Sequence, residues 1–150
     1  GPHRLRDRRT RARARARPVV SPVQAFVVSF ATTLAFLVVV TVTGMRAMRR
    51  VHIPFVALTV VALGVTIYFA LELGKIYDLA SAGIITPIHL TLAKIDTVAL
   101  LVPVVTGIRS LYVPSTIRLH KKVAWCVLAL TVVCAVTGTI MILSAERRPV

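Results

Sequence analysis

The chain has 150 residues, 57% of them hydrophobic, and its mean hydropathy is +0.82. The apolar residues form long uninterrupted runs, not the stripe of a water-soluble helix, which excludes an ordinary soluble domain. In a soluble protein the net charge of +14 would suggest nucleic-acid binding. Here the basic residues lie in an N-terminal tail and at the ends of apolar runs, so we expect contact with lipid headgroups and no nucleic-acid partner.

The chain begins with an arginine-rich tail, residues 1–22, in which Asp7 is the only acidic residue. The arginines expected to contact lipid or a partner are Arg4, Arg6, Arg8, Arg9, Arg11, Arg13, Arg15 and Arg17. We expect this tail to bind anionic lipid headgroups, or alternatively an acidic protein partner. Because so basic a segment resists translocation, it also predicts cytoplasmic termini in a multi-pass protein of the cell inner (plasma) membrane.

Four apolar runs follow the tail, and each is long enough to cross a bilayer core of about 30 Å as a helix. The predicted spans are residues 23–45, 51–71, 88–108 and 123–143, with residues 144–150 as a short C-terminal tail. The first two spans are joined by a tight turn and are therefore expected to be antiparallel neighbours. The sequence therefore predicts an all-α integral membrane four-helix bundle with up-down-up-down topology. We identify no internal repeat, and we expect Pro103 to kink the third span.

Three histidines stand near the start of three predicted helices, His52 in the second, His89 in the third and His120 in the fourth. Because successive spans alternate in direction, His52 and His120 are expected at one membrane face and His89 at the other, about 30 Å away. Two imidazoles from neighbouring helices can ligate one haem b or, with further ligands, contribute to a copper site. Alternatively, both are interfacial residues of the headgroup zone.

Charged residues inside the third span form the second candidate site. An ionised Asp96 within the bilayer would cost about 2.5–3.5 kcal/mol, so it needs a partner or a proton. We expect Glu72 on the second helix to be the counter-ion of Lys94. Together with His89 these residues predict an intramembrane polar cluster that relays protons or binds a ligand. The alternative is a structural ion pair that fixes the second and third helices.

Three stretches of the chain carry a family resemblance: VHIPFVALTVVALGVTIYFALELG, PIHLTLAKIDTVALLVPVVTGI and RLHKKVAWCVLALTVVCAVTGTIMIL. Through them the chain resembles a family of four-helix membrane proteins of uncharacterised function that includes the YozB and CtaM types. The residues that stand in the positions of the family pattern are His52, His89, His120, Lys121, Trp125, Thr137 and Gly138. The arginine-rich tail and the His-Lys-Lys sequence at 120–122 depart from that pattern. Since family members are linked to biogenesis of haem-copper terminal oxidases, the resemblance implies a role beside a respiratory complex.

These observations together predict an assembly factor or accessory subunit of a respiratory or other electron-transfer complex, with haem or metal contact through His52 and His120. Two alternatives stay open. One is a b-type cytochrome that passes electrons through a single bis-histidine haem, and the other is a purely structural subunit that fills a gap in a larger membrane complex. We do not expect an enzyme, because the sequence has no phosphate-binding loop, nucleophile elbow or zinc-protease motif.

Overall fold

A computed structural model of the chain describes residues 21–148, so the predicted contacts of the arginine-rich tail lie outside the described residues. Its helices are α1 (Pro22–Met45), α2 (Arg49–Ile76), α3 (Ile85–Ala99), α4 (Leu101–Tyr112) and α5 (Ile117–Ser144). With α3 and α4 taken together, four helical stretches are long and apolar enough to cross a membrane. The predicted all-α class with four membrane-length helices is therefore confirmed.

The second, third and fourth helical stretches extend several residues beyond the predicted spans, whereas the first extends by one. Helix α2 continues through Lys75 to Ile76, and α5 already begins at Ile117, before the basic residues that we took as its boundary. Hydropathy marks only the apolar part of a helix, whereas backbone hydrogen bonding continues through charged residues at the membrane surface. The start of α1 is fixed instead by a capping box, in which the Ser21 and Gln24 side chains bond each other's backbone N–H.

The third span is interrupted at Leu100, where α3 ends and α4 begins. Pro103 has no backbone N–H, so the carbonyl of Ala99, four residues earlier, loses its helical donor, and the proline ring crowds that same carbonyl. The interruption therefore lies within one turn of Pro103, the residue at which the sequence predicts a kink.

The described part of the chain forms two compact units, and the first extends to Ala70. In it α1 runs antiparallel to α2. The Thr33 and Thr66 hydroxyls lie 2.9 Å apart and are buried between the two helices. Nearer the connecting turn, the rings of Phe36 and Phe55 meet edge to face at 5.6 Å between centroids. Such packing and hydroxyl contacts, not apolar burial, are what hold helices together in lipid.

The second unit begins at Leu71, and in it α3 and α4 pack against α5. A two-residue strand β1 (Tyr77–Asp78) pairs antiparallel with β2 (Glu146–Arg147), and the Arg148 N–H donates to the Ile76 carbonyl at 2.9 Å. The sequence placed these residues in the connection between the second and third spans and in the short C-terminal tail. Two-residue strands carry no periodic pattern, so their pairing was not predictable from the residues.

Candidate functional site

In the first unit, His52 at the start of α2 reaches back to the end of α1. Its Nδ1 lies 3.3 Å from the Thr43 hydroxyl and 3.0 Å from the Val40 carbonyl oxygen. The ring also lies against Gly44, where an added Cβ would stand 3.1 Å from the histidine Cε1. The glycine therefore admits the imidazole between the two helices.

The same arrangement recurs in the second unit, where α4 meets α5. His120 Nδ1 lies 3.3 Å from the Thr106 hydroxyl. A Cβ added to Gly107 would again stand 3.1 Å from the histidine Cε1. Both contacts join the start of one helix to the end of the preceding one.

A third contact of this kind lies where the start of α3 meets the end of α5. His89 Nδ1 is 3.2 Å from the Thr137 hydroxyl, and the ring also bonds to the backbone of Cys134. A Cβ on Gly138 would stand only 2.6 Å from the histidine Cε1. We call the three pairings of a histidine with a Thr-Gly dipeptide the histidine contacts.

The hydrogen-bond roles in the histidine contacts follow from the threonines. Each threonine hydroxyl donates to the carbonyl four residues earlier in its own helix: Thr43 to Val39 (2.7 Å), Thr106 to Val102 (2.8 Å) and Thr137 to Val133 (3.0 Å). A hydroxyl has one proton, so the threonine oxygen accepts from the histidine Nδ1–H. At His52 the Val40 carbonyl oxygen can only accept a hydrogen bond, so it also requires a proton on the histidine Nδ1. Each neutral imidazole therefore carries its proton on Nδ1, and Nε2 is the unprotonated nitrogen.

Between its two histidine contacts, the second unit contains one further polar pair. The Thr131 hydroxyl on α5 donates to Asp96 Oδ1 on α3 at 3.0 Å. Asp96 is only 5% exposed. The first unit also has one polar side-chain pair away from its histidine contact, the hydroxyls of Thr33 and Thr66.

The predicted polar cluster of Glu72, His89, Lys94 and Asp96 is not joined by any hydrogen bond or ion pair found among residues 21–148. Glu72 pairs at 2.5 Å with Lys75 instead of Lys94. These two residues are three apart on α2, so their pairing needs no second helix. The side chain of Lys94 is exposed, whereas His89 and Asp96 each bond to α5.

The predicted haem or metal ligands, His52 and His120, each take part in a histidine contact of their own unit. Sequence reasoning missed the partners that fix them. The sequence did contain a signal for these partners. Val-Thr-Gly occurs three times, at 42–44, 105–107 and 136–138, and three histidines stand near helix starts. Within residues 21–148 no three histidine, cysteine or acidic side chains group into a metal site.

Comparison of the chain with protein-family models, with curated proteins and with solved structures finds no match. The resemblance to the YozB and CtaM types stays a prediction.

Proposed function

We propose that the chain is an assembly factor or accessory subunit of a respiratory or other electron-transfer complex, and that it contacts haem or a metal ion through His52 and His120. One observation carries this proposal: both imidazoles are hydrogen-bonded through Nδ1, which makes Nε2 the unprotonated nitrogen that bears the lone pair. A ligating histidine in a metalloprotein is oriented in the same way, by a hydrogen bond from its other ring nitrogen.

The donor set suits an axial ligand to haem b or one ligand of a copper ion. Imidazole nitrogen is a ligand for both metals. A bound haem or copper would supply one-electron chemistry, and the chain itself orients the imidazoles. Since each histidine contact offers one such nitrogen, the remaining ligands would come from the porphyrin or from a partner protein.

The surface of the helices supports an environment of lipid and membrane protein. Large apolar side chains are exposed along every membrane-length helix, as Val28, Val61, Val105 and Leu143 illustrate. Such surfaces fit a lipid bilayer. In this proposal part of the same surface packs against a larger complex, and the chain lies in the inner (plasma) membrane with cytoplasmic termini, as the arginine-rich tail favours.

Alanine at position 52 or 120 is expected to remove the haem or metal that purifies with the protein. The protein is extracted from its native membrane in mild detergent, and its absorption spectrum and metal content are measured after reduction. His52→Ala or His120→Ala should lower the occupancy, because each removes a ligating nitrogen. Thr106→Val keeps the imidazole and removes only its acceptor, so it should weaken the affinity about 10- to 100-fold.

His3→Ala is the matched control, because the same substitution then falls in the arginine-rich tail, and it should leave the spectrum unchanged. A wild-type protein with no haem absorption, no copper and no co-purifying complex would contradict the proposal. Haem or metal retained at full occupancy in both His52→Ala and His120→Ala would contradict the assignment of these ligands.

A further inference from the structure

Asp96 is the one ionisable side chain that is buried among residues 21–148. It lies near the middle of the third span, between Ile95 and Val98, which are 52% and 66% exposed on the apolar surface. A carboxylate at such a position needs compensation, and an intramembrane ionisable group is more often functional than incidental.

The partners of Asp96 in the described part of the chain are neutral. No lysine or arginine there forms an ion pair with it, and the ion pair found, Lys75 with Glu72, lies on α2. The hydroxyl that Asp96 meets, that of Thr131, is 3.0 Å from Asp96 Oδ1 and also 3.0 Å from the Val127 carbonyl oxygen. One proton of Thr131 therefore faces two acceptors.

We propose that Asp96 is a proton-binding site inside the membrane that exchanges its proton with water. Asp96 Oδ1, the Thr131 hydroxyl and the Val127 carbonyl oxygen can form hydrogen bonds among themselves in either form of the carboxyl group. When Asp96 is ionised, Thr131 donates to Oδ1. When Asp96 takes up a proton, its O–H donates to the Thr131 oxygen, and Thr131 donates to the Val127 carbonyl. In the ionised form the Val127 carbonyl gives up the Thr131 hydroxyl, whereas in the protonated form both hydrogen bonds are made at once. The proton comes from the aqueous phase and returns to it.

Polar groups lead from Asp96 to the end of α3 that carries His89. The Cys134 thiol on α5 is the titratable group of the facing helix that interacts electrostatically with Asp96. His89 bonds to the backbone of this same Cys134 and to Thr137. On its own helix, Lys94 is two positions from Asp96 and therefore on a different face. His89 lies seven residues, or about 10 Å along the helix, from Asp96, so the His89 end is the shorter route to water.

Infrared absorption of the full-length protein in lipid bilayers at neutral pH tests this site directly. A protonated carboxyl group gives a C=O stretching band that a carboxylate lacks, and the chain has only 5 acidic residues to consider. We expect a band in the wild type that shifts to lower frequency in D₂O. Asp96→Asn should abolish it, and the matched control Asp78→Asn should leave it unchanged.

Thr131→Val provides a second test of the site in case the Asp96→Asn protein does not fold. It should keep the band but move it to higher frequency, because the carboxyl group loses its hydrogen-bond partner. Exchange in D₂O should become slower in His89→Phe and stay unchanged in His3→Phe, a histidine of the arginine-rich tail. The proposal is overturned by a wild type without the band, by a band that survives in Asp96→Asn, or by one that never shifts in D₂O. Equal rates of proton exchange at Asp96 in the two histidine variants would overturn the proposed route to water past His89. None of these outcomes depends on haem or metal binding.

Discussion

Replacing Gly138 with alanine is expected to destabilise the packing of α5 against α3 more than alanine at any other glycine within a described helix. The new Cβ would lie 2.6 Å from Cε1 of His89, closer than real side chains approach, and 3.1 Å from Nε2. The ring cannot move aside without leaving Thr137, to which Nδ1 is bonded. Because overpacking of a close contact typically costs about 1–3 kcal/mol, we expect a loss of that size in the free energy of unfolding.

Unfolding of the protein in mixed detergent micelles measures this loss, and other glycines supply graded controls. Alanine at Gly44 or Gly107, where the contact is 3.1 Å, should cost less than alanine at Gly138. Gly64 has no neighbouring atom within 4 Å, so alanine there should gain about 0.5–1 kcal/mol from helix propensity. Adding His89→Ala to Gly138→Ala removes the clash and should recover most of the loss. Equal stability of the Gly138 and Gly64 variants would refute the close contact.

Leu73→Ala is the second substitution with a large expected effect. Leu73 is 1% exposed and is the most deeply buried large side chain in the described residues. Next to it, a Cβ added to Gly74 would stand 3.5 Å from the Leu79 side chain, so the end of α2 lies against the 3₁₀ turn Leu79–Ala82. Lipid is as apolar as leucine, so the cost comes mainly from the cavity and the lost packing contacts. We expect about 2 kcal/mol or more.

Leu71→Ala is the matched control for this substitution. It makes the same chemical change two residues earlier in α2, at a side chain that is 67% exposed. Its effect on the free energy of unfolding should stay within about 0.5 kcal/mol. A loss as large for Leu71→Ala as for Leu73→Ala would mean that burial at position 73 does not stabilise the fold.

The four helices were predictable because a bilayer imposes one strong condition on a sequence, namely about 20 apolar residues for each crossing. The interruption of the third span was predictable for a similarly local reason, since Pro103 removes one backbone donor wherever it stands in a helix. Helix ends were less predictable, because residues such as Lys75 and Arg118 continue the helical hydrogen bonding outside the apolar run. The pairing of β1 with β2 depends on which chain ends meet in space, which no local pattern records.

The sequence predicted the histidines of the candidate site but not their partners. His52, His89 and His120 were singled out by their positions at helix starts, but the Thr-Gly dipeptides that receive them were not assigned. The separations explain this: His52 follows its glycine by 8 residues and His120 by 13, whereas His89 precedes Gly138 by 49. Because the distance along the chain between histidine and Thr-Gly varies, the pairing gives no detectable sequence repeat. Which helix faces meet depends on the rotation of each helix, and this is set by packing.

The expected pairing of Lys94 with Glu72 shows how local contacts compete with distant ones. Glu72 finds Lys75 one helical turn away on the same helix. A pair three residues apart forms with little loss of freedom, whereas a pair between helices requires two long side chains to be fixed. Asp96 likewise bonds a hydroxyl on α5, Thr131, instead of a charge.

Nitrogen NMR of isotope-labelled histidine side chains tests the orientation of the imidazoles most directly, because it distinguishes a protonated ring nitrogen from an unprotonated one. The purified protein is measured at a pH where the rings are neutral, and glutamine at position 52, 89 or 120 assigns each signal. The hydrogen bonds to Thr43, Thr106 and Thr137 predict a proton on Nδ1 and none on Nε2 in all three rings. A proton on Nε2 of His52 or His120 would contradict both the geometry of the histidine contacts and their proposed role as ligands.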